Sequence, residues 1–258
     1  MTLTTALRRV PAQRLWLAGA LALATHAAGA QNFIGAGAAY TTEYEGSGEY
    51  EFKPVPLINF EHRNFFVSGV AGVPAAGIRF PLAADWSAGV FVGLGAERDA
   101  SEYDRINGLD DIDWHGVGGA FVRWSPGPLS VTAAYRQAFK SGYGGVLALD
   151  ADYRVFQRGR DTVKLGVGTQ WANDDAMDTY FGVSEREAAR SRAGLRAYDA
   201  SAGFKSATVS ASWIHGFDNG ISVITTVGAK TLLGDARDSS VTEKEQSAFG
   251  IVGLTYAF

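Results

Sequence analysis

The ten residues Phe249-Gly-Ile-Val-Gly-Leu-Thr-Tyr-Ala-Phe258 decide how this chain is read. Side chains of a strand alternate between faces, so Val252, Leu254, Tyr256 and Phe258 share one face, and Ile251, Gly253, Thr255 and Ala257 the other. The first face is apolar and ends in aromatics; the second is small or mildly polar apart from Ile251. In water, an apolar edge of this kind recruits other chains. A membrane barrel gives it a place, because the last strand closes onto the first and its outer face meets lipid. A terminal strand of a soluble sandwich is the weaker alternative.

The other end of the chain fits the same compartment. Residues 1–30 read as an export signal, with Arg8, Arg9 and Arg14 before an apolar core from Leu15 to Ala24 and an Ala28-Gly29-Ala30 cleavage site. That core is too short for a spanning helix, which needs about 20 residues. Two adjacent arginines are a weak twin-arginine signal, and no cysteine follows to carry a lipid anchor. Residues 31–258 are then one barrel domain. Loss of the three leader arginines takes the formal net charge from −4 to −7, which argues against a nucleic-acid partner. The chain has no cysteine, as suits a protein that crosses an oxidising compartment unfolded and needs no disulfide. No stretch of the mature chain approaches 18 uninterrupted apolar residues, so helical spans are excluded. Instead, 32 glycines, many aromatics and short alternating segments recur between turn signals, the weak signature of a barrel whose two faces cancel in any average.

Alternation predicts a transmembrane antiparallel up-and-down β-barrel, all-β, with 12 strands. Trp86 to Leu94 places Trp86, Ala88, Val90, Val92 and Leu94 opposite Ser87, Gly89, Phe91 and Gly93. Leu147, Leu149, Ala151, Tyr153 and Val155 oppose Asp150, Asp152 and Arg154. In the second strand Pro54 and Pro56 cannot donate ladder hydrogen bonds, so irregular pairing is expected there. Between Tyr198 and Phe217 the apolar phase switches near Lys205 to Thr208. One strand with a bulge gives 12 in total and two strands give 13; barrels of this kind have even counts, so the bulge is preferred. Glu97–Trp114 and Asn173–Gly194 read as outward loops, the second irregular throughout. Asp218-Asn219-Gly220 is a hairpin turn.

Chemistry is sparse. Asp110, Asp111, Asp113 and His115 lie close in sequence and resemble the acid and histidine groups of a rim protease, but that chemistry needs convergence in space. A solvated acidic loop is the better reading, with a divalent-cation or lipopolysaccharide-bridging site second. His215 is placed at the membrane interface. No G-x-S-x-G motif points to a hydrolase, and no catalytic residue, metal site or cofactor is assigned. Arg79, Arg136, Asp150, Asp152, Arg154 and Lys164 are predicted to face the lumen, either as a filling ion-pair network or as a selectivity lining. Eight strands leave room only for side chains and 16 make a channel, so a plugged or very narrow pore is expected of 12.

Met177-Asp-Thr-Tyr-Phe-Gly-Val-Ser184, followed by Ser191, Gly194, Leu195 and Tyr198, resembles the hallmark block of the MipA/OmpV family of outer-membrane proteins. Tyr44-Glu-Gly-Ser47 before Pro54-Val-Pro56, Gly108-Leu-Asp-Asp-Ile-Asp113, Leu233-Gly-Asp-Ala236 and the Tyr256-Ala-Phe258 end agree, in order, over the whole mature chain. Asp238-Ser239-Ser240 departs where a Ser-Pro pair is expected. The resemblance implies a Gram-negative outer-membrane barrel whose best-described relative scaffolds a murein-remodelling complex, linking a lytic transglycosylase to a bifunctional penicillin-binding protein. Other relatives are linked to adhesion, osmotic response or antibiotic susceptibility. The expected function is therefore a non-enzymatic scaffold contacting outer-membrane lipid and lipopolysaccharide, with a narrow solute channel or a surface adhesion or stress-response role as alternatives. Tyr180, Phe181 and Gly182 are candidate contacts, as are Asp110, Asp111 and Asp113. The competing reading of Tyr180 to Gly182 is that these aromatics tuck the long loop into the barrel mouth.

Overall fold

A computed structural model describes residues 32–258; the expected export signal lies outside the described residues. Twelve antiparallel strands close into one ring. They are β1 (Phe33–Thr42), β2 (Tyr50–His62), β3 (Phe65–Val70), β4 (Val73–Ala83), β5 (Trp86–Gly95) and β6 (His115–Trp124). The ring continues with β7 (Leu129–Ala138), β8 (Gly145–Arg158), β9 (Asp161–Ala172), β10 (Gly203–Gly216), β11 (Ile221–Leu232) and β12 (Gln246–Ala257). β12 seals to β1 in unbroken register from Phe33↔Ala257 to Tyr40↔Gly250. Closure leaves no backbone edge along that seam, which hydrocarbon would not tolerate. The expected phase switch is a bulge: β10 slips register against β9 between Phe204 and Ser206, so Lys205 is the extra residue. Tyr198, Ala200 and Ala202, expected to begin that strand, lie in the preceding loop instead.

The outward face is apolar. Ile34, Val92, Val167, Val209, Val252 and Leu254 are all exposed there. Aromatics collect at both ends of the strands, as belts at membrane interfaces do. Tyr40 stacks on Tyr50 at the outer end, and Trp86 on Trp124 at the periplasmic end. Also at the periplasmic end, Asp161 accepts from Trp213 Nε1 at 2.9 Å and lies 2.8 Å from His215 Nδ1, giving the belt a polar tip.

The lumen is not uniformly polar. Phe66, Phe91 and Phe121 point inward and pack with Val117, Ala134 and Ala148 into a buried cluster. Each ring lies across the ladder from a glycine: Phe66 from Gly77, Phe91 from Gly119, and Phe121 from Gly89. A Cβ on any of those glycines would collide with the ring, so aromatic and glycine fit as pairs. The cluster also holds Val70, Ala71, Val73 and Ala75 of the β3–β4 hairpin, whose tip therefore bends into the barrel. At that tip Arg136 on β7 donates to the Ala71 carbonyl. A Cβ on Gly72 would lie 3.5 Å from Gln170 Nε2 on β9, six strands from β3 and hence on the opposite wall. The two-residue turn needs positive φ at both positions, met by Ala71 at 49° and Gly72 at 79°.

The irregular pairing expected at Pro54 and Pro56 falls on the other side of β2. The β1–β2 ladder runs without a slip from Phe33↔Asn59 to Thr42↔Tyr50, through both prolines. Glu43 N donates to Glu49 O, and Glu61 N to Asn32 Oδ1, so odd residues of β2 turn their backbone groups toward β1. Even residues, the prolines among them, turn theirs away. β2 meets β3 at only three positions, Phe60↔Val67 to His62↔Phe65.

Candidate functional site: the lumen and its lid

Outer loops and lumen form one assembly. Between β9 and β10 the chain builds two short helices, α1 (Asp174–Phe181) and α2 (Glu185–Arg190), where an irregular loop is expected. Their start signals lie in the sequence: Asn173 caps α1 by accepting from Ala176 N, and Ser184 with Glu187 forms a capping box on α2. A third helix, α3 (Gly234–Asp238), follows β11. Tyr44, Tyr103, Ile106, Leu109, Val183 and Val241, from four different loops, pack into one buried cluster across the outer mouth. Polar ties lock it: Ser239 Oγ donates to Phe181 O at 2.5 Å, Arg105 to Ser240 O at 3.0 Å, and Ser240 Oγ to Arg196 O at 2.7 Å.

The acidic loop residues are fasteners of this lid. Asp110 pairs with Arg186 at 2.8 Å and with Arg190. Hydrogen bonding to Arg190, more than the Arg186 contact, holds its carboxyl below the ordinary range. Asp111 accepts from Ala100 N at 2.8 Å, and Asp113 pairs with Lys140. His115 Nδ1 lies 2.9 Å from the Asp113 carbonyl oxygen, and its ring meets Tyr143 edge-on. Three carboxylates adjacent in sequence thus point to three different partners. Among the described residues no group of three or more His, Cys, Asp or Glu is placed to hold a metal ion. Phe181 is 0% exposed and Gly182 is buried, so neither offers a surface to a partner from outside. Tyr180 faces inward, its ring 5.6 Å from Lys205 Nζ and its carbonyl accepting from Arg98 Nη1 at 2.8 Å.

Beneath the lid a cavity of about 830 Å³ extends to the periplasmic turns at Asp85 and Pro128. Arg79, Arg136, Asp150, Asp152, Arg154 and Lys164 all line it. Arg79 pairs with Glu61 at 3.1 Å. Roof and walls meet at Glu45, in the loop after β1, which takes Lys205 at 2.7 Å and Lys230 at 3.1 Å. Burial alone would raise the Glu45 pKa, but the two lysines override it and hold the carboxylate charged. Reading alternation alone misses both Glu45 and the aromatic plug. Glu45 sits in a loop, and Phe66, Phe91 and Phe121 occupy positions where polar residues are expected.

A family model described as MltA-interacting protein MipA matches residues 34–258. The MltA-interacting protein of Escherichia coli (strain K12) is 27% identical over 230 residues, covering 87% of this chain and 89% of the relative. Among solved structures, the KdgM porin superposes with a TM-score of 0.47 at 14% identity, over 88% of this chain and 99% of that one. The outer membrane protein OprD from Pseudomonas aeruginosa gives 0.40 at 12% identity, over 87% of this chain and 65% of that one. With a match that runs through all twelve strands and the lid, the chain belongs to the MipA family, whose model is described as MltA-interacting protein MipA.

Proposed function

We propose that this barrel is a non-enzymatic anchor, holding a periplasmic lytic transglycosylase, and through it a bifunctional penicillin-binding protein, against the outer membrane. The observation that carries this reading is the closure of the lumen. Four loops interlock across the outer mouth and a hairpin crosses the interior. Both features narrow the path through the lumen, which favours an anchor over an open channel. The relative's name, MltA-interacting protein, supplies the class of partner. The periplasmic rim consists of tight turns, at Arg63-Asn64, Ala84-Asp85, Ser125–Pro128, Gly159-Arg160 and Phe217–Gly220. A rim of that size suits a contact at the small end of the interface range, below about 1,200 Å². Bilayer lipid covers the strands, and lipopolysaccharide surrounds the lid, where Asp110 and Asp113 lie exposed.

Crosslinking intact envelopes and purifying the barrel tests this directly. Recovery of a lytic transglycosylase supports the anchor. Its absence, together with steady single-channel conductance in planar bilayers, replaces the anchor with a narrow solute channel. The charged lining from Arg79 to Lys164 would then act as the selectivity surface.

A further inference from the structure

The inward hairpin leaves a slot in the barrel wall. β2 and β3 are paired from Phe60 to His62 and then diverge, because the tip of the hairpin lies against Arg136 and near Gln170 across the lumen. From Tyr50 to Asn59, β2 has a ladder partner only in β1. Ten residues at about 3.3 Å each make an edge of roughly 33 Å. At the tilt usual for such strands that is comparable to a hydrocarbon band about 25 Å tall.

Two independent features say what fills the slot. The backbone groups turned toward it belong to Tyr50, Phe52, Pro54, Pro56 and Ile58, and the two prolines have no N–H. An added β-strand would need those donors; hydrocarbon cannot satisfy them and tolerates their absence. Behind the slot the lumen wall is apolar, where Val55, Ala39 and Ile251 form a buried cluster with Leu57 packed against it. Outside, Phe52 is 75% exposed at the edge.

We propose that an acyl chain of a surrounding bilayer lipid enters the barrel through the slot between β2 and the β3–β4 hairpin and lies on Leu57 and Ile251, at the margin of that buried cluster. The wild-type barrel would be reconstituted in phosphatidylethanolamine vesicles doped with the same lipid carrying a diazirine at mid-chain. After irradiation, the adducts are mapped by peptide mass spectrometry. Adduct yield at the half-buried Leu57 and at Ile251, which lines the lumen cavity, should stand several-fold above that at Thr208 and Ser210, which line that cavity on β10. If adducts are confined to outward-facing Phe52, Val92 and Val252, with Leu57 and Ile251 no higher than Thr208 and Ser210, the slot is shut to lipid and the proposal fails.

Discussion

Phe65 and Phe66 are adjacent, chemically identical and on opposite faces of β3, so truncating each in turn weighs lumen packing against lipid contact. Phe66 is 1% exposed, meets Phe121 edge-on at 5.7 Å and lies 5.4 Å from the Arg79 guanidinium. Removing a buried phenyl ring leaves a cavity and costs about 3–5 kcal/mol, a figure that includes the aromatic pair. Phe65 is 44% exposed on the outer face, 6.3 Å from Phe60. Lipid flows into the space its ring vacates, so Phe65→Ala carries no cavity penalty and should cost only the lost transfer of the ring out of water, about 1.5–2 kcal/mol. Phe66→Leu keeps most of the apolar volume and should cost at most about 1.5 kcal/mol. Urea unfolding in vesicles, followed by tryptophan fluorescence, reads all three. At an m-value of about 3 kcal/mol per M, the Phe66→Ala midpoint falls by roughly 1–2 M. Equal losses at the two positions, or a larger one at Phe65, would refute the assignment of faces and the packed plug with it.

Glu45→Gln should loosen the lid by about 2–3 kcal/mol, the lower part of the cost of breaking a buried pair because Lys230 is one-third exposed. Faster protease cleavage between residues 173 and 202 measures it, and an unchanged rate would detach Glu45 from lid closure. Acid should open the lid by the same route. Asp110 and Glu45 have lowered folded pKa values, so their stabilisation is complete above the ordinary carboxylate pKa and is lost as pH falls through the lower folded values. Pepsin should therefore leave the lid intact at pH 5 and cut it only below about pH 4. An opening centred near neutral pH would contradict this sign. Replacing Pro54 and Pro56 by Ala restores two N–H groups that face the slot, each costing about 1–3 kcal/mol if hydrocarbon lies there. A lower urea midpoint in vesicles is expected, and a higher one would mean that a strand pairs along that edge.

What alternation conveys is the outer face, because every lipid-facing position obeys one rule. Strand order, closure and the bulge at Lys205 follow from period and parity, and so does the inward direction of Asp150, Asp152, Arg154 and Lys164. The lumen obeys no such rule, since a side chain there answers to whatever crosses the barrel. Nothing in Val70-Ala71-Gly72-Val73 marks a direction, and its inward course depends on Arg136 and Gln170, remote in sequence. The Phe–Gly pairs become visible only when register sets Phe91 beside Gly119. The lid was partly within reach, since Ser184 and Glu187 carry the capping-box spacing that marks α2. Its closure was not, because Tyr44, Tyr103, Val183 and Val241 meet only through the ring that brings their loops together.

The plug and the lower part of the slot are two consequences of one displacement, and the upper part follows from the shortness of β3. A hairpin held in the plane of the wall would extend the β2–β3 ladder as far as Leu57, opposite Val70, and leave the lumen open beside Phe91 and Phe121. Bent inward, it buries Val70, Ala71 and Val73 on those rings and gives Arg136 a carbonyl to donate to, but it strips β2 of a partner from Leu57 to Asn59 and so lengthens the edge that begins at Tyr50, beyond the hairpin's reach. In a bilayer the loss matters most at backbone donors, which hydrocarbon cannot replace. Pro54 and Pro56 remove two of those donors while leaving the β1 ladder whole, since that ladder uses the odd residues alone. Their parity therefore matters as much as their presence: a proline at 53 or 55 would cut the ladder that remains and leave the slot's donors in place. The strand is adapted to an edge that lipid, rather than another strand, covers.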